Sequence, residues 1–148
     1  MKKSEKKKET KENSDQILTF NTGTLSHEDL HGIFTTLPVD ITFVDKDDKV
    51  QFYSDSGHRI FTRTKAVIGR RVQACHPPQS LHKVQQILDD FHAGKRNTAE
   101  FWINLKDRFI HIRYFAVHNP AGKYIGCLEV SQDVTDIRAL KGEKRLLD

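Results

Sequence analysis

Between Ala99 and Val134 the chain reads as three strand-length runs, AEFWINL, RFIHIRYFAVH and YIGCLEVSQDV, separated only by KD (106–107) and NPAGK (119–123). Connections that short leave no room for a crossover, so neighbouring runs pair antiparallel and this part of the chain is committed to a meander. Immediately before it, QSLHKVQQILDDFHA (79–93) carries Leu81, Val84, Ile87, Leu88 and Phe91 at helical spacing. Pro78 starts that helix and Gly94 ends it.

The first half of the chain is less regular. Leu25, Leu30, Ile33, Phe34 and Leu37 form an apolar stripe, Ser26 and Asp29 have the spacing of a capping box, and Pro38 is a stop, which together predict a helix over 25–37. VDITFV (39–44) and VQFYS (50–54), joined by the charged DKDDK (45–49), predict a hairpin. Gly57 and Gly69-Arg70 bracket a region of short helical turns, HRIF (58–61) and AVI (66–68), which Pro77-Pro78 closes. After the last strand, TDIRALKGEKRLLD (135–148) predicts a charged helix carrying Ile137, Leu140 and Leu147.

Composition then narrows the classes of function. A chain of 148 residues, 36% hydrophobic and 30% charged, fits one soluble domain with a modest core and excludes two large ones. No run approaches the roughly 18 apolar residues of a membrane span, and no apolar leader stands at the N-terminus, so a cytoplasmic protein with no membrane partner is expected. Cys75 and Cys127 are too few for a disulfide scaffold or a thiolate zinc site, and both are expected to be reduced. Of the net charge of +4, residues 1–15 supply +2, from six Lys against three Glu and one Asp. That segment has no aromatic or aliphatic side chain between Met1 and Ile17 to offset its ordering entropy, so residues 1–19 are expected as a disordered, solubilising tail with no nucleic-acid role.

The strand period of two groups Phe109, His111, Arg113, Phe115 and Val117 on one face of the longest run, and Ile125, Cys127, Glu129 and Ser131 on one face of the last. Cys75-His76 beside the two prolines offers thiolate and imidazole, both ligands for iron. Ser54, Ser80 and Ser131 have no nucleophile-elbow context and no glycine-rich loop cradles phosphate, so no catalytic residues and no enzyme are expected.

The order helix, two strands, short helices, one longer helix and three strands resembles the PAS fold, and local motifs agree. ITFVDKDDKVQFYSDSG resembles the opening PAS hairpin, IGRRVQACHPPQS the segment in which a Gly-Arg pair and a His-Pro precede the long helix, and GCLEVSQDVTDIR the last strand with its Asp-x-Thr junction, Asp133 and Thr135. More narrowly, TLPVDITFVDKDD, FTRTKAVIGRRVQACHPP, FIHIRYFAV and GEKRLL resemble the C-terminal PAS module of bacterial DUF438 proteins, where it follows a hemerythrin-like domain. The scattered histidines of this chain do not make a di-iron site.

The resemblance implies an α+β fold, a five-stranded antiparallel sheet with helices over one face, spanning residues 20–134 and flanked by helix 25–37 and a signalling helix at 135–148. It implies a non-enzymatic sensor or interaction module that binds a small ligand, or senses redox state, in a cavity. It points Ser131 into that cavity, and with it Glu129, Cys127, His111, Arg113 and Phe115. An Arg113–Glu129 pair would either orient a ligand or only satisfy itself. Cofactors stay open between heme, non-covalent flavin, a small organic ligand and none. For heme, the residues are His76, Cys75 and, on the flank of the long helix's apolar stripe, His92. For flavin, Trp102 is a stacking partner, while Val72 stands where a photoreactive cysteine would be needed. The expected partners are a second copy, through helix 25–37 and the sheet face, an unknown small molecule and an output protein.

Overall fold

The computed structural model describes residues 16–147; the basic segment 1–15 lies outside them. Ile17–Phe20 (β1) and Gly23–Ser26 (β2) form an antiparallel hairpin, and His27–Thr36 (α1) follows. Asp40–Asp45 (β3) and Val50–Tyr53 (β4) form a second hairpin. Two 3-10 turns at Lys65–Val67 and Val72–Cys75 lead into Pro78–His92 (α2). Thr98–Leu105 (β5), Arg108–His118 (β6) and Tyr124–Asp133 (β7) then make the meander, and a single helical turn, Thr135–Arg138 (α3), ends the regular structure. Among the described residues, no helix is long and apolar enough to cross a membrane.

The chain divides into two compact units. Of the described residues, one comprises 16–37 together with Asp55–Gly57. Here Ser26 caps α1 as its spacing predicts, its hydroxyl accepting from Asp29 N at 3.0 Å while Asp29 returns a carboxylate to Ser26 N at 2.8 Å. The helix begins two residues later than the apolar stripe does, because Leu25 belongs to β2. The tail expected through residue 19 is corrected at its end: Ile17, Thr19 and Phe20 are β-formers, and they pair with Ser26, Thr24 and Gly23.

The other unit comprises Pro38–Ser54 and His58 onward. Its five strands lie in the order β4-β3-β7-β6-β5, all antiparallel. The core lies between α2 and one face of this sheet. Val84, Leu88 and Phe91 of α2 are buried with Val44, Ile110, Ile112, Tyr114 and Cys127 from the strands. Gly126 of β7 passes so close to the bulge in β3 that a Cβ there would lie 2.2 Å from the carbonyl oxygen of Val44. Two expectations fail in this unit. HRIF (58–61) forms no helical turn, since Arg59 is drawn into hydrogen bonds with the carbonyls of Ser54, Phe61 and Ile41. The terminal helix ends at Arg138 rather than 148: Gly142 takes φ 65°, and Ile137, Leu140 and Leu147 are exposed, so no burial sustains it.

Candidate functional site

An apolar cavity lies between α2 and the sheet. Val84, Ile87 and Leu88 of α2 and Val72 of the second 3-10 turn form one wall, and Val44, Tyr114, Cys127 and Glu129 of the sheet form the other. The centre of a water-sized sphere can occupy about 10 Å³ of it, room for one water molecule. Of the lining groups, Glu129 alone carries charge. Its carboxylate is nearly buried and accepts from Arg63 Nη2 at 3.4 Å, and Arg63 Nε donates to the Thr42 hydroxyl at 3.2 Å. His76 stands in the field of both ends of this pair. Its Nε2 is buried and has no hydrogen-bond partner among the described residues. Burial holds the imidazole's pKa below its ordinary value; Glu129 opposes that shift and Arg63 adds to it.

Glu129, Cys127 and Ser131 all point to the helix side of β7, the last buried one step beyond the cavity lining. The inward placement of His111, Arg113 and Phe115 is corrected. Register sets Tyr114 opposite Glu129 and Ile112 opposite Ser131, so the buried residues of β6 are Ile110, Ile112 and Tyr114. His111, Arg113 and Phe115 therefore face the other side of the sheet. The Arg113–Glu129 pair does not form; Arg113 lies over the Phe115 ring at 5.6 Å, and His111 Nε2 meets Glu100 Oε2 at 2.7 Å. Trp102 pairs with His111 on that same outer face and is 59% exposed, neither core nor cavity wall. The partner of Glu129 that sequence missed, Arg63, sits in the irregular stretch before Lys65, where no periodicity marks orientation. Only its position inside the motif FTRTKAVIGRR singled out the segment.

The cofactor candidates do not converge. Cys75 Sγ donates to the carbonyl of Arg71 at 3.7 Å, and His92 Nε2 meets Asp48 Oδ1 at 2.9 Å with its ring against Tyr124. Among the described residues no three His, Cys, Asp or Glu side chains form a metal-holding group. A porphyrin or an isoalloxazine ring would have to displace the walls of a space sized for one water. Burial, with the charges of Glu129 and Asp48, pushes the Cys127 thiol up to about 12, so it is a poor thiolate nucleophile.

The junction forms one connected network. Thr135 donates its backbone N–H and its hydroxyl to Asp133 Oδ1, at 3.0 and 2.6 Å, and its hydroxyl oxygen accepts from Phe109 N at 2.8 Å. Arg108 Nε meets Asp133 Oδ2 at 2.6 Å and its Nη2 meets Asp136 at 3.3 Å. Arg108 and Thr135 hold the Asp133 carboxyl down to about 2. Arg138, the last residue of α3, stacks on Phe109 at 3.8 Å, so α3 is held to β6 as well as to β7.

Comparison with known proteins places these observations. The family model described as a PAS domain matches residues 30–135. A crystal structure of a C-terminal domain from Streptococcus mutans is 35% identical, with a TM-score of 0.80 over 86% of this chain and 99% of that one. Two more distant structures share the fold. A PAS domain from Colwellia psychrerythraea is 16% identical, with a TM-score of 0.54 over 74% of this chain and 97% of that one. A sensory box sensor histidine kinase from Vibrio cholerae is 14% identical, with a TM-score of 0.52 over 72% and 89%. No curated protein matches the chain.

Proposed function

The chain belongs to the PAS domain family, and from that membership we propose that it is a cytoplasmic, non-catalytic sensor module, read through the buried Arg63–Glu129 pair. The observation that carries this is the place of Glu129. It lines the cavity on the same strand, four residues before Asp133, that enters the Arg108–Asp133–Thr135 network. A small molecule with an apolar body and one hydrogen-bonding head takes the cavity and competes for either end of the pair. Its binding then favours one position of β7 over another, and the junction passes that preference to an output partner. The ligand is small, because the cavity must open to admit anything larger than water. The link of this chain to the C-terminal module of DUF438 proteins belongs to the same proposal and rests on the motifs quoted above.

Native mass spectrometry of freshly purified protein, followed by thermal shifts with a panel of small amphipathic compounds, tests the reading. A bound mass, or a melting increase that Glu129→Gln and Arg63→Met both abolish, supports it. No bound mass and no compound that raises the melting temperature overturns it, and leaves a ligand-free interaction module.

A further inference from the structure

The two edges of the five-stranded sheet are treated differently. At the β4 edge the outward backbone groups of Val50 are already used: its N–H donates to Arg70 O at 2.9 Å, its carbonyl accepts from Gly69 N at 2.7 Å, and Lys49 bridges Arg71. The β5 edge is eight residues long, and its ladder with β6 runs without the register shifts that interrupt β3–β4 and β6–β7. It contains no proline and one charge, Glu100, which His111 of the same sheet already engages. Among the described residues this edge therefore carries no proline and no bulge, and a single charge, of the devices that blunt an edge.

The direction of its free backbone groups follows from the ladder. Ala116 N donates to Asn97 O at 2.8 Å. Alternation along an antiparallel pair then turns the groups of Ala99, Phe101, Ile103 and Leu105 toward β6, and leaves those of Thr98, Glu100, Trp102 and Asn104 at the open edge. Phe101, Trp102 and Ile103 are 41%, 59% and 36% exposed.

We propose that the β5 edge is a self-association surface, on which a second copy of this chain pairs its own β5 antiparallel about a two-fold axis at Phe101. The register uses every open group, with Thr98 facing Asn104, Glu100 facing Trp102 and Ala99 facing Ile103 of the second copy, and Phe101 facing its counterpart. That gives about eight backbone hydrogen bonds, joining two sheets into one. On one face Ala99 meets Ile103 and Phe101 meets its counterpart; on the other Thr98 meets Asn104 and Glu100 lies beside the indole of Trp102, so no charge opposes a charge inside the ladder. Beyond Asn97 against Leu105, Arg96 would meet Lys106, and that like-charged pair ends the ladder; Arg96 is already engaged by Asp90 at 2.8 Å. This self-complementarity selects a second copy over a foreign strand, since an arbitrary peptide would meet the same pattern only by chance.

Light scattering of the full chain over a concentration series tests the proposal. The wild type is expected to move from one chain to two as concentration rises. Glu100→Pro deletes an N–H that points to the open edge and breaks no β5–β6 backbone hydrogen bond, losing besides only the exposed side-chain contact to His111, so it should halve the associated mass while keeping circular dichroism and melting close to wild type. Phe101→Lys sets two ammonium groups together at the axis and should do the same by a different route. A wild type monomeric throughout overturns the proposal, as do two variants that remain dimeric. A monomer that takes up foreign extended peptides at this edge also overturns it.

Discussion

One step along β6 separates Arg113 from Tyr114, and that step decides which side of the sheet a charge occupies. The period of two was legible in RFIHIRYFAVH, but its phase was not, because both alternating sets carry apolar side chains: Phe109, Phe115 and Val117 on one, Ile110, Ile112 and Ala116 on the other. Only the register with β7 chooses between them, and register is a property of two strands. In β7 the choice was legible through the junction motif, which is why Cys127 and Glu129 fall on the cavity. The consequence is measurable. Arg63→Met strands a nearly buried carboxylate and should destabilise by about 3–5 kcal/mol in urea unfolding, with Arg63→Met/Glu129→Leu recovering much of that. Arg113→Met, on the outer face, should cost less than about 1 kcal/mol. His76 gives a second test. Its folded pKa lies below the ordinary 6.5, so the unfolded chain binds the proton more readily. Stability is therefore whole above about pH 6.5 and falls as pH drops below it. Melting curves of His76→Gln should lack that slope.

Among the elements, those announced by a local signal stand where they were expected. The capped helix, α2 with its proline and glycine ends, and the three strands of the meander differ from expectation by at most two residues at either end. The elements that sequence misjudged owe their state to what they do or do not pack against. The β1–β2 hairpin begins beside a lysine-rich run that masks it, and the terminal segment has helical spacing but nothing to bury Leu140 or Leu147 against. Two predictions belong here. Gly126→Ala must push β7 away from Val44 and the ring of Phe43, and should destabilise by about 1–3 kcal/mol by thermal melts. At the junction, Arg108 and Thr135 depress the folded pKa of Asp133 to about 2, from 3.8. Its contribution is present above about pH 4 and is lost as pH falls toward 2. The melting difference between wild type and Asp133→Asn should shrink to nothing over that interval, and a constant difference would show that the network does not depend on the charge.

At the scale of the whole molecule, the strand order β4-β3-β7-β6-β5 puts the last strand made at the centre of the sheet, between the β3–β4 hairpin from the first half of the chain and the β5–β6 pair from the second. β3 has no partner other than β4 until β7 arrives, and a two-stranded hairpin is marginal by itself. Removing residues 124–148 should therefore abolish the cooperative thermal transition altogether rather than lower its midpoint, as followed by circular dichroism. The same order governs what happens during synthesis. While a ribosome has translated only as far as Lys123, Val44, Val50 and the apolar side of α2 have been made but cannot close a core, because the part of the wall that Cys127 supplies does not yet exist. Completion of this unit is thus postponed until Asp133 has left the exit tunnel. Nascent chains stalled before that point are the form of this protein that chaperones and proteases would meet.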